Sequence, residues 1–110
     1  MIRSPLIQAA ELQAQLAADA GRTLVFDCSF DLSDTEAGRF AYDGRHVPGA
    51  MYLPLDHDLS APKTGRNGRH PLPSREAFAA LLAARGVHDD SPVVLYDGSG
   101  GMYAARAWWM

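Results

Sequence analysis

The 110 residues predict a single α/β domain, residues 1–110, in which a parallel sheet is flanked by helices on both faces. Three observations lead there. Short apolar runs suited to strands alternate with longer helix-suited segments. The strand runs are apolar at successive positions instead of alternate ones. Glycine- and proline-rich connections separate the two kinds of segment. A strand that is apolar on both faces must be covered on both, which is the environment of a parallel sheet between helical layers.

Ala9–Ala20 places Leu12 and Leu16 one turn apart among Ala, Gln and Glu, with Gly21 where a helix ends, and predicts the first helix. Thr23–Cys28 is a short run of strand formers, read as a buried strand. From Ser29 to Tyr42 the periodicity fails and Asp, Ser, Thr and Gly accumulate, which predicts a surface connection with one short helical turn. Val47-Pro48-Gly49 is turn chemistry, and Ala50–Leu53 suits a second strand. Pro54–Pro73 contains four prolines and two glycines and is read as a long irregular segment. Ser74 then caps a helix carrying Phe78, Leu81 and Leu82, closed by Gly86 with Val87 behind it. Pro92–Tyr96 is an apolar strand, Asp97–Gly101 a glycine-rich turn, and Met102–Met110 the start of another helix.

Composition narrows the function. Apolar residues make up 47% and charged residues 21%, which suits a folded globular chain. A net charge of -3 without a basic stripe offers no counterion-release drive, so nucleic acid is not an expected partner. No apolar run approaches the roughly 20 residues of a membrane helix. Met1–Pro5 has no apolar core of a signal peptide, and Cys28 is the one cysteine, so a cytoplasmic protein without membrane association is expected.

The last residues stand apart from this ordinary picture. Trp108 and Trp109 precede the final Met110. At ~200 Å² each and ~25 cal/mol/Å², the two rings represent on the order of 10 kcal/mol of transfer free energy, comparable to the stability of a domain. The expectation is a domain incomplete at its C-terminus, which buries this end in another chain or in a following segment. The alternative is that both rings pack internally.

Among residues that could carry chemistry, Cys28 follows an apolar strand with no cation or helix start adjacent, and is read as a buried, inert thiol. Asp97-Gly98-Ser99-Gly100-Gly101 joins a strand to a helix, so its backbone N–H groups and the helix dipole can form an anion cradle. A sulfur-handling loop would begin with a cysteine. Here Asp97 holds that position, and its carboxylate can accept the same bonds internally and repel an incoming anion. The loop matches neither a P-loop nor a dinucleotide fingerprint, and no cofactor is expected. His46, beside Arg45 at a loop-to-strand junction, could steer a proton or an anion, or could simply hold its turn. Asp56-His57-Asp58 has no companion cluster for a cation, so no metal is expected. Lys63, Arg66 and Arg69 form a locally basic loop that could greet an acidic partner or merely be solvated.

Val25-Phe26-Asp27, Tyr42-Asp43-Gly44-Arg45-His46-Val47-Pro48-Gly49-Ala50, Pro92–Asp97 and Ala105-Arg106-Ala107-Trp108-Trp109 together resemble the first domain of tandem rhodanese sulfurtransferases. The resemblance spans nearly the whole chain. It implies two facing α/β domains, with the persulfide-forming cysteine on the second domain's loop and none on the first. It implies transfer of sulfane sulfur from thiosulfate or 3-mercaptopyruvate to an acceptor such as cyanide or a thiol. In this half it implies no catalytic residue, a pseudo-active loop at Asp97–Gly101, and a cleft lined by His46 and Arg45 with Asp34 or Glu36. The expected partners are a catalytic rhodanese domain, or a second copy through the Trp108-Trp109 end, together with a small sulfur-donor substrate. The competing reading is a stand-alone, inactive rhodanese-like binding or regulatory module.

Overall fold

The computed structural model describes residues 4–19 and 21–110. The expected end of the first helix at Ala20 and the segment Met1–Arg3 lie outside those residues. The elements in chain order are α1 (Ala9–Ala18), β1 (Leu24–Asp27), α2 (Ala37–Gly44), β2 (Met51–Tyr52), α3 (Arg75–Ala84), β3 (Val93–Tyr96) and α4 (Met102–Trp109). The three strands form one parallel sheet in the order β2-β1-β3. Phe26 of β1 stands level with Met51 on one side and Leu95 on the other.

Strand alternation divides the core between the two faces of the sheet. Leu24, Phe26, Met51 and Leu95 face a cluster that includes Cys28, Tyr103, Ala104 and Ala107, with Phe78 and Leu81 packed against it, so α3 and α4 cover this face. Tyr52 points to the other face, where it stacks on Tyr42 of α2 at 5.4 Å. Val25 and Asp27 share that side and are buried. The expected α/β sheet with helices on both faces is present.

α3 is built from local signals. The Ser74 hydroxyl accepts from Ala77 N at 3.1 Å, and the helix ends with Gly86 N donating to Ala83 O and Val87 N to Leu82 O. Gly86 adopts φ +90°, the left-handed geometry this stop requires. α1 lies loosely on the domain with Leu12 and Leu16 half-buried and no residue fully buried. It is tied to the start of β1 by Gln15 donating to the Thr23 hydroxyl, which in turn bonds the Asp19 carboxylate.

Two sequence readings are corrected. Ser29–Tyr42 is more than a surface connection with one helical turn, because α2 runs for eight residues and ends at Gly44. It forms because Gly38 lets the helix lie directly against the Ser29 carbonyl and the Tyr52 hydroxyl, where a Cβ would collide. β2 is limited to Met51–Tyr52, shorter than the expected Ala50–Leu53. The chain turns inward after it, and Leu53, Leu55 and Leu59 are 1%, 5% and 0% exposed. The first half of the long irregular segment is therefore core. Its later part is pinned to α4 by Arg106, which donates to Leu59 O and His70 O.

Candidate functional site

In an open parallel sheet, functional loops gather at the C-terminal ends of the strands. Here that edge brings together the segment after β1 (from Cys28) and the loop after β3 (Asp97–Gly101), while the turn before β2 (Arg45–Ala50) leads into the N-terminal end of its strand. Two contacts join them directly: Gly98 N donates to the Ser29 hydroxyl at 3.1 Å, and Val47 N donates to the Tyr96 hydroxyl at 3.0 Å.

Asp97 occupies the centre of its own loop. One carboxylate oxygen accepts from Ser99 N and Gly101 N at 2.7 and 2.8 Å. The other accepts from Tyr103 N and Ala104 N at 2.8 and 2.9 Å. The latter two are first-turn donors of α4 that have no partner within the helix. Gly101, at φ +97°, makes the left-handed step from loop to helix. Burial alone would push the Asp97 carboxyl up, but the N–H groups of Ala104, Ser99, Gly101 and Tyr103 outweigh it and hold it below its ordinary value. The cradle is thus filled by the protein's own anion.

Cys28 lies beneath this loop, not in it. It is fully buried within the core cluster, and burial, reinforced by the Asp27 and Asp97 carboxylates, pushes its thiol up to about 12. A thiolate is needed for nucleophilic sulfur chemistry, and this environment opposes one.

His46 is exposed at the turn. Its ring stacks on Tyr42, with centroids 3.8 Å apart and planes 12° apart, and Nδ1 lies 2.6 Å from the Tyr42 carbonyl oxygen. The Tyr42 hydroxyl donates to Ala50 O at 2.5 Å. Arg45 is exposed beside it. Asp34 and Glu36 are not joined to His46 by any hydrogen bond or ion pair among the described residues. The Asp34 carboxylate instead accepts from Glu36 N at 3.1 Å, shaping the approach to α2. Two residues that sequence reasoning did not single out, Tyr42 and Tyr96, hold this turn. Burial, with the neighbouring Asp27 among the further causes, pushes the Tyr96 hydroxyl up to about 12.

The remaining candidates lie apart from this edge. Asp58 is paired with Arg85 at 2.9 Å, and Lys63, Arg66 and Arg69 stand exposed on their loop. A cleft of about 430 Å³ between the long segment and α3 is lined by His57, Asp58, Pro73 and Phe78 and includes none of the cradle or turn residues. The Asp97 cradle and the His46 turn therefore lie outside this cleft.

An open parallel α/β sheet with a strand-to-helix anion cradle at its C-terminal edge defines the class of this domain. Residues 8–110 match the family model described as a rhodanese-like domain. The chain belongs to the rhodanese family.

It is 45% identical over its whole length to a probable 3-mercaptopyruvate sulfurtransferase of Pseudomonas aeruginosa, of which it spans 38%. It is 37% identical over 96% of its length to a putative thiosulfate sulfurtransferase of Mycobacterium tuberculosis, of which it spans 36%. Among solved structures, it superposes on the 3-mercaptopyruvate sulfurtransferase from Leishmania major with a TM-score of 0.76 and 31% identity, covering 88% of this chain and 27% of that one. It also superposes on a sulfur transferase subunit of yeast mitochondrial complex I with a TM-score of 0.74 and 34% identity, covering 96% of this chain and 34% of that one. The chain thus spans only 27% to 38% of the length of these four relatives.

Proposed function

We propose that this chain is the non-catalytic N-terminal domain of a tandem rhodanese-type sulfurtransferase that uses thiosulfate or 3-mercaptopyruvate as sulfur donor. In this reading it packs on the catalytic domain and lines one wall of the active site. The observation that carries the proposal is Asp97, whose carboxylate takes up four backbone N–H groups where a sulfur-carrying thiolate would need them. A fixed negative charge there repels anionic donors and leaves no seat for a persulfide. The sole cysteine is buried with a raised pKa and does not replace it.

Support for a facing domain comes from the surface. Trp108 and Trp109 are 64% and 69% exposed, and Trp109 lines one groove together with the exposed Leu72 and with Phe78. So much aromatic and aliphatic area is usual for a surface that meets another protein. Among the described residues no helix is long and apolar enough to cross a membrane.

The test is sulfurtransferase turnover by the purified 110-residue chain with thiosulfate or 3-mercaptopyruvate as donor and cyanide as acceptor, for the wild type and Cys28→Ser. Neither should turn over. Activity that disappears in Cys28→Ser would make the only thiol a working nucleophile and overturn the proposal.

A further inference from the structure

We propose that Tyr42 is a positioning residue that fixes His46 as the Nδ1–H tautomer, leaving Nε2 as the one free ring nitrogen presented at the turn that leads into β2. The argument begins with the 2.6 Å contact between His46 Nδ1 and the Tyr42 carbonyl oxygen. A carbonyl oxygen only accepts, so Nδ1 carries the proton whether the ring is neutral or charged. In the neutral ring the lone pair is then on Nε2. Free imidazole side chains in water prefer the opposite tautomer, so the carbonyl selects the minor form.

The ring plane is fixed by a second, independent contact. His46 stacks on the Tyr42 ring at 3.8 Å and 12°, and the Tyr42 ring is itself held between Tyr52 at 5.4 Å and its hydroxyl bond to Ala50 O. Tyr42 therefore grips the turn at both ends, at His46 through its carbonyl and ring and at Ala50 through its hydroxyl. Between them Val47 N is bound by the Tyr96 hydroxyl. With the plane, the tautomer and the backbone all set, Nε2 has one direction of approach and acts as a hydrogen-bond acceptor toward a group that comes from outside the domain. Among the described residues no carboxylate bonds to the His46 ring.

The functional weight of this geometry rests on the proposed role of His46 in a cleft, but the tautomer does not, and the experiment separates the two. Long-range proton–nitrogen correlation spectra of the 110-residue chain, labelled with ¹⁵N-histidine and recorded above the imidazole titration range, report which nitrogen of each ring is protonated. His46→Gln assigns the His46 signals. The expected result is a protonated Nδ1 and a bare Nε2, with ring protons shifted upfield by the Tyr42 face. Tyr42→Phe keeps both features, because the stack and the carbonyl remain. Tyr42→Leu keeps the carbonyl but loses the ring that holds the imidazole in the plane where Nδ1 meets it, so the upfield shift disappears and the nitrogen signals move toward the free-imidazole tautomer. A bare Nδ1 in the wild type overturns the proposal without any variant, as would a Tyr42→Leu spectrum identical to the wild type at His46. Loss or gain of sulfurtransferase activity bears only on the functional reading.

Discussion

Replacing Asp97 by Ala removes the acceptor for four backbone N–H groups at once, and the structure sets the scale of the loss. Ser99 N lies on the exposed side of the loop and can turn to water, and Gly101 is only half-buried. Tyr103 and Ala104 are 8% and 7% exposed, so their N–H groups lose a charged acceptor with no room for solvent. A hydrogen bond to a charged group is worth ~1.5–3 kcal/mol net. Two such losses, discounted because one carboxylate oxygen serves both, give about 2–4 kcal/mol. With a urea slope of ~2 kcal/mol/M, the unfolding midpoint should fall by about 1–2 M.

Asp97→Asn should lose roughly half as much, since one amide oxygen can serve one pair of donors while the NH2 faces the other. The deficit should also depend on pH. The Asp97 carboxyl is held below its ordinary value of 3.8, so its stabilisation is fully present above that pH and is lost as pH falls through the folded value. The wild-type and Asp97→Ala midpoints should therefore converge in acid. An Asp97→Ala midpoint within about 0.5 kcal/mol of the wild type at neutral pH, the range of an ordinary surface change, would refute the reasoning.

Gly38→Ala drives a Cβ into the Ser29 carbonyl and the Tyr52 hydroxyl and should cost about 1–3 kcal/mol in thermal melts. Gly44→Ala in the same helix meets nothing and should be neutral or stabilising by up to about 1 kcal/mol. Equal effects of the two would contradict the close approach of α2. Cys28, raised to about 12 by burial, should react with iodoacetamide slowly at every pH up to 9, with no levelling of the rate near the ~8.5 of a free thiol, and rapidly once urea unfolds the chain. Burial holds the His70 ring below its ordinary value of 6.5, assisted by Arg106 and Lys63. The folded state therefore binds the proton more weakly than the unfolded chain, and stability falls as pH drops below 6.5. His70→Gln should flatten that slope in urea titrations, and an unchanged slope would rule out this contribution.

What could be read in the sequence follows the range of the forces involved. α3 was legible end to end, because Ser74, Gly86 and Val87 act on the few residues next to them and Phe78 and Leu81 mark the buried stripe. The strand cores of β1 and β3 were legible for the same reason. α2 was not, since it contains two glycines and a weak apolar pattern and is held by Gly38 contacting Ser29 and Tyr52, neighbours only in the folded chain. The inward turn of Leu53, Leu55 and Leu59 was hidden by the prolines around it.

At the site, Asp97 could be placed from its position between a strand and a glycine run. The partners of His46 could not. Nothing local pointed to the Tyr96 hydroxyl, 49 residues from Val47. Tyr42 did carry a signal, four residues before His46, the spacing that brings two side chains together on a helix face. The signal is masked by the Asp, Ser, Thr and Gly that break the apolar periodicity of the segment leading to it.

A domain whose cradle already holds a carboxylate and whose one thiol is sealed in the core is proposed to carry no sulfur. Intact-mass analysis of the folded chain after incubation with thiosulfate, and separately with 3-mercaptopyruvate, tests it most directly. The account predicts an unchanged mass under both conditions. A gain of one sulfur atom, removed by cyanide and absent in Cys28→Ser, would contradict it.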